Sequence, residues 1–279
     1  MDAIDMTKHI IVSGATGFVG RHLVRHLTEN NYKVTALMRD LEKASRLPHL
    51  QNVAKLQFDI QNWDRTLTFP ENSTLIHCAW DDVRDTLSLA HIEQHFLNHY
   101  LFLKNAISVG VKNIVVTGTC YEYGLQYGPV SATTPTMPNT PYALAKDMLH
   151  KSLRALQATT DFNLIWARLF YMYGEGQDPK SIVPLLDAAI ERGDGAFNMS
   201  FGEQLFDYLP IEAVARQLTA LIPLKNGVFN VCSGAPISLR RLLENRIKEK
   251  GAAIALNLGY YPYRKQDTLA IWGLPENIL

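Results

Sequence analysis

The stretch Gly14-Ala15-Thr16-Gly17-Phe18-Val19-Gly20 constrains this chain more than any other. It lies between a short apolar run, Lys8 to Ser13, and a segment from Phe18 to Asn30 in which Val19, Leu23 and Leu27 recur at helical spacing. A Gly-x-x-Gly-x-x-Gly run in that setting joins a buried strand to a helix. Gly14 permits the tight turn, Gly17 lets the backbone approach a pyrophosphate, and Gly20 lets helix and strand pack closely. The free N–H groups at the helix start then face the phosphates. A structural glycine turn is the bland alternative; strand, loop and helix together favour dinucleotide binding by Gly14, Thr16, Gly17, Phe18, Val19 and Gly20.

Further strands are expected at Lys33 to Met38, Val53 to Phe58, Thr74 to Cys78, Lys112 to Gly118 and Asn163 to Ala167. Helical stretches fall at Leu87 to Val109 and at Pro141 to Gln157, the second opened by a proline suited to a first turn. Strands alternating with helices predict an α/β chain with a Rossmann-type doubly wound parallel sheet. After Phe170 the rhythm changes. Ser181 to Arg192, Ile211 to Ile222 and Ser238 to Lys250 read as helices, the last with a serine cap, and Gly227 to Val231 as a strand. The expected organisation is an NAD(P)-binding domain over 1–169 and a smaller C-terminal substrate-binding cap over 170–279, with some elements returning to the core.

Composition narrows the class. The formal net charge is zero, so nothing suggests a grip on nucleic acid or an acidic membrane surface. No apolar run approaches the roughly 20 residues that span a bilayer, and Met1 to Thr7 lacks the apolar centre of a signal peptide. The cysteines, Cys78, Cys120 and Cys232, are odd in number and far apart, which fits neither a disulfide framework nor a zinc knuckle. A reducing cytoplasm is expected.

The end of the second strand chooses the cofactor. An acidic residue there usually holds the ribose diol of NAD. In this chain Met38 takes that place and Arg39 follows. An arginine fork suits a 2′-phosphate, which favours NADP; with Asp40 on the ribose hydroxyls, NAD remains possible. Asp59, with Ile60 beside it, stands where it would meet the adenine or cap a turn. Cys78 and Ala79 are small residues where the sheet meets the cofactor, or simply packing residues.

Tyr142 and Lys146 lie four apart on the expected helix and so share a face. An ammonium beside a phenol favours the phenolate and draws the tyrosine toward working pH. The same spacing also describes a solvated helix face. Its weight comes from Val116-Thr117-Gly118-Thr119-Cys120-Tyr121-Glu122-Tyr123-Gly124 and from Arg168-Leu169-Phe170-Tyr171-Met172-Tyr173-Gly174. With these motifs and the glycine run, the chain resembles an extended short-chain dehydrogenase/reductase of the NAD-dependent epimerase/dehydratase superfamily.

That resemblance implies roles. Thr119 would bond the reacting substrate oxygen, Tyr142 would exchange its proton, and Lys146 would tune Tyr142 and hold the nicotinamide ribose. Family dehydratases carry an Asp-Glu pair where this chain has Cys120 and Tyr121, so dehydration is not expected. The place of the family's active-site asparagine falls on His95, with Asn98 one turn later. His91, His95 and His99 recur at a spacing that can bind metal, but a polar helix face or subunit contact is the expected reading, with no metal.

In the cap, Phe206 stands where the family keeps an arginine on the nucleotide-sugar diphosphate; Arg264 or Lys180 would then have to substitute. The tail, Leu258 to Arg264 with Ala270 to Gly273, resembles bacterial reductases of nucleotide-linked 4-keto-6-deoxyhexoses. The expected protein is an NADP-preferring reductase of a nucleotide-activated keto sugar. A sugar-nucleotide epimerase holding NAD is the first alternative, and a catalytically weak cofactor-binding sensor is another. A homodimer through the helices at Leu87–Val109 and Pro141–Gln157 is what the family implies.

Overall fold

The computed structural model describes residues 9–70, 72–263 and 268–276. Its centre is a seven-stranded sheet. The first half of the chain supplies β1 (His9–Ser13), α1 (Phe18–Glu29), β2 (Lys33–Met38), α2 (Leu41–Ser45), β3 (Ala54–Gln57) and β4 (Thr74–His77). It continues through α3 (Phe96–Ser108), β5 (Asn113–Thr119), β6 (Gly128–Val130), α4 (Pro141–Leu156) and β7 (Asn163–Leu169). The second half holds β8 (Tyr171–Tyr173), α5 (Ile182–Arg192), β9 (Ala196–Asn198), β10 (Leu205–Phe206), β11 (Tyr208–Pro210) and α6 (Ile211–Leu221). The remaining elements are β12 (Gly227–Val231), β13 (Ile237–Ser238), α7 (Leu239–Glu249), β14 (Ala255–Asn257) and β15 (Ala270–Gly273).

The large sheet runs β12-β7-β5-β4-β1-β2-β3, with every neighbour parallel. Both faces are covered, and the strands alternate between the two apolar cores. Ile10 and Val12 join α1 and α6 through Leu23, Leu27, Val214 and Leu218 on one face. Ile11 meets α3 and α4 through Phe102, Leu149 and Leu153 on the other. Such double burial is why these strands read as unbroken apolar runs. The doubly wound architecture agrees with the sequence reading.

Local signals also set the helix starts. Thr140 accepts a hydrogen bond from the Ala143 amide ahead of Pro141, and Ser238 accepts one from the Arg241 amide, as its sequence position suggested. The Leu87–Val109 helix begins later than expected. Asp85 accepts from the Leu87 amide at 3.2 Å and Ser88 from the Ala90 amide at 3.3 Å. These side-chain turns compete with a helix, which then starts as a π-helical turn, His91–His95, before α3.

The second half is not separate from the first in space. Strand β12 pairs with β7, and α6 packs on α1. Conversely, β6 joins β15 in a four-stranded sheet ordered β13-β10-β15-β6. Helices α5 and α7 pack around Val183, Leu186, Leu242 and Leu243. No helix among the described residues is long and apolar enough to cross a membrane, and the cysteines are free.

Candidate active site

The strand order reverses between β1 and β4, and the cleft lies at that point, beyond the carboxyl ends of the strands. Two adjoining cavities fill it, of about 370 and 160 Å³. Gly14 has φ +72°, and a methyl there would stand 2.7 Å from the Ala79 nitrogen. A methyl at Gly20 would overlap the Gly14 carbonyl. Gly17 is different. Its backbone is extended, with φ −74° and ψ 174°, and a methyl would meet only the Gly14 oxygen, at 3.1 Å. No side chain caps α1 there and its first turn holds no acidic residue, so its leading amides are open to an anion. Gly17→Ala is therefore expected to keep the wild-type melting temperature while weakening NADH binding by at least about tenfold. Gly20→Ala is expected to cost about 1–3 kcal/mol of stability as well. Thermal melts and fluorescence titrations measure both.

Phe18 and Val19 line the larger cavity; Thr16, Arg39, Ile60 and Ala79 line the smaller, and Cys78 lies between them. Arg39 is exposed, and its guanidinium lies 3.4 Å from the Asp81 carboxylate. Asp59 is not in this lining. It faces a neighbouring surface cavity and accepts a hydrogen bond from the Gln61 amide at 3.1 Å, the turn-capping role open to it.

Thr119, Tyr142 and Lys146 all reach the larger cavity. Thr119 ends β5 and caps the following short helix, with Glu122 returning a bond to its amide at 2.8 Å. Burial raises the Tyr142 phenol, the Glu122 charge raises it further, and a Thr119 hydrogen bond opposes them. Burial lowers Lys146 to about 7, against the pull of Glu122 and Cys78. The expected lowering of Tyr142 by Lys146 is not found. The Lys146 nitrogen instead donates to the Thr117 carbonyl at 2.9 Å and lies 4.0 Å over the Trp80 ring.

Glu122 is fully buried. It accepts from Arg168 at 2.8 Å and from the Trp166 indole at 3.0 Å. Its carboxylate also lies within 4.8 Å of ligand atoms of Asp147 and His150, but Arg168 already meets one acid of that group and Lys151 the other. The histidine row departs from expectation. His91, His95 and His99 are buried rather than on a solvated polar face. His91 bonds Trp80 and the Asp85 carbonyl, His95 lies 3.4 Å from Asp82, and His99 bonds His77. Asn98 is one helix position away from this row.

Phe206 is buried and stacks on Tyr171 at 4.4 Å, and Tyr171 in turn forms part of the cleft wall. Phe206 thus supports the cleft wall through Tyr171. Lys180 is on an exposed loop and does not line the cleft; Arg264 lies outside the described residues. Sequence reasoning missed Trp80, Glu122 and Tyr171. Trp80 had one signal, a large ring directly after the small pair Cys78-Ala79; Glu122 and Tyr171 had only their places in the two motifs.

A model of the NAD dependent epimerase/dehydratase family matches residues 10–232. The chain belongs to that family. Among curated members of the family, the chain is 32% identical over 272 residues to a dTDP-6-deoxy-L-talose 4-dehydrogenase (NAD(+)) of Aggregatibacter actinomycetemcomitans, covering 95% of this chain and 99% of that one. It is 24% identical to UDP-arabinose 4-epimerase 1 of Arabidopsis thaliana, covering 97% and 73%. A UDP-N-acetylglucosamine 4-epimerase from Methanobrevibacter ruminantium has the same fold, with TM-score 0.85, 21% identity and coverage of 98% and 91%. The family consists of enzymes, and its cofactor is NAD.

Proposed function

We propose that the protein interconverts the 4-keto and 4-hydroxy forms of a nucleotide-linked 6-deoxyhexose with a nicotinamide cofactor. The observation that carries this reading is the meeting of Thr119, Tyr142 and Lys146 in one cleft beside Gly17. The full-length similarity to a deoxytalose 4-dehydrogenase supports the substrate class. The open α1 amides and the side-chain-free Gly17 fit a dinucleotide phosphate, and a bound dinucleotide would supply the hydride.

In the keto direction, Thr119 and Tyr142 hydrogen-bond the substrate oxygen. Burial keeps Tyr142 a neutral phenol, the form that can give its proton. As the carbonyl oxygen gains negative charge, it becomes far more basic than a phenolate, and the proton moves to it. Lys146 reaches the same cavity and, while charged, favours the build-up of negative charge there. No Asp or Glu is among the described residues lining the larger cavity. Cys120 is buried with its thiol pushed up, which further disfavours dehydration.

For the cofactor we favour NAD(H), with NADP(H) tolerated. Arg39 is the cation that suits a 2′-phosphate, but Asp81 already meets its charge. Asp81→Asn is accordingly expected to tighten NADP binding about tenfold, or about 1.4 kcal/mol, with little change for NAD; equilibrium titration of both cofactors measures the ratio. A cofactor-binding 1–169 and a mainly substrate-binding 170–279 that returns β12 and α6 to the core, a cytoplasmic location, and pairing of two copies through α3 and α4, where Leu97 and Leu144 are exposed, complete the reading.

The deciding experiment is NADH consumption with nucleotide-linked 4-keto-6-deoxyhexoses. No turnover on any of them would overturn the proposal and favour a cofactor-binding sensor. A 4-epimerase is the second reading, supported by the similarity to UDP-arabinose 4-epimerase. It requires stoichiometric NAD released on denaturation and no net NADH consumption.

A further inference from the structure

Lys146 is buried, and among the described residues no carboxylate forms an ion pair with it; Glu122, whose charge acts on it, is already paired with Arg168. The Thr117 carbonyl accepts one hydrogen bond from Lys146 at 2.9 Å, and a buried ammonium needs further partners. Its nitrogen lies 4.0 Å over the Trp80 ring centre. The His99 imidazole stacks on the same indole at 4.2 Å and 17°. The indole thus touches both the ammonium and a stacked imidazole.

The edge of the indole is fixed too. Its N–H donates to His91 Nδ1 at 3.1 Å. An indole nitrogen is only a donor and a carbonyl only an acceptor. His91 Nδ1 must therefore carry no proton, and Nε2 must donate to the Asp85 carbonyl 2.9 Å away. That locks His91 as one neutral tautomer. Beyond the stacked imidazole, His99 Nδ1 lies 2.7 Å from His77 Nε2, and His77 Nδ1 2.7 Å from the Ser13 hydroxyl. Burial keeps both of these imidazoles uncharged. The two imidazoles that bond or stack on the indole, His91 and His99, are thus neutral, and His95 and Tyr142 meet it in T-shaped contacts.

We propose that Trp80 is a positioning residue for Lys146: its indole, locked by His91 and stacked on His99, holds the lysine ammonium charged and aimed into the cleft. This rests on the proposed reaction for its functional meaning, but the contact itself does not. A desolvated ring face stabilises an ammonium more than an exposed one. The other groups acting on Lys146 are the Thr117 carbonyl of β5, which accepts from it, Glu122 from the turn after β5 and Cys78 just past β4, which raise it, and neutral His77 and His99 from β4 and α3.

The test is competitive acetylation of the ligand-free full chain across pH, with labelling of the Lys146 peptide read by mass spectrometry. Trp80→Leu is expected to lower the Lys146 pKa by about one unit, and Trp80→Phe, which keeps a ring face, by less. His91→Leu, which frees the indole edge, is expected to fall between wild type and Trp80→Leu. An unchanged Lys146 pKa in Trp80→Leu overturns the proposal. If that variant does not fold, Trp80→Phe and His91→Leu carry the comparison, and identical titrations in wild type and both of them overturn it equally. The alkaline limb of keto-sugar reduction should move down with the labelling pKa, which lost packing alone would not cause. A chain inactive on every keto sugar would overturn the reaction and leave the labelling result standing.

Discussion

Tyr142→Phe is expected to lower keto-sugar reduction by about 10²- to 10⁴-fold, the usual worth of a positioned acid, with NADH binding nearly unchanged. The substitution removes one oxygen and leaves the ring among Trp80, His91 and Tyr121. Stopped-flow or steady-state NADH consumption measures the loss, and equal rates in both proteins would sink the mechanism. The pH profile carries a sign. Burial lowers Lys146 from 10.5 to about 7, so the ammonium is present below that value and lost above it. Reduction consumes a proton and should fall on the alkaline side, at pH 7 or higher because the Trp80 face works against burial. Oxidation of the alcohol releases a proton and should rise over the same interval.

Arg168→Met is expected to destabilise the fold by about 3–5 kcal/mol, because it leaves Glu122 buried without its cation. Arg168 also donates to the Tyr123 hydroxyl at 3.1 Å and the Ala132 carbonyl at 3.1 Å, and stacks over the Tyr123 ring. Urea melts at pH 7 measure the loss. Adding Glu122→Gln should return part of it, since both charges are then gone; additive losses would show that the pair is not coupled. Burial already raises the Glu122 carboxyl, with Arg168 opposing. Without Arg168 it rises further. A carboxyl raised in the folded state favours folding at low pH and loses that contribution as pH climbs through the folded value. The single variant should therefore regain stability on acidification relative to wild type.

The same physics separates what was legible in the sequence from what was not. Buried parallel strands are apolar on both faces, so Lys33–Met38 and Gly227–Val231 were readable to the residue. The short strands β6, β8 to β11 and β13 to β15 were not, because two to four residues carry no period and gain their order from partners far away, as Ile271 does from Gly128. The histidine spacing suits a polar helix face or a subunit contact, because periodicity alone does not tell inside from outside. Trp80 and His77, from other segments, are what His91 and His99 meet on turning inward.

Sequence alone determined the glycine turn, the sheet it begins, and the spacing that puts Tyr142 and Lys146 on one helix face. Those are local matters of backbone freedom and periodicity. Tertiary structure decided what Lys146 does in the resting protein. Its charge depends on an indole, a carbonyl and buried neighbours brought together from separate strands and helices. A sequence can place an ammonium beside a phenol, but the low-dielectric surroundings that set the charge of each exist only after the chain has folded.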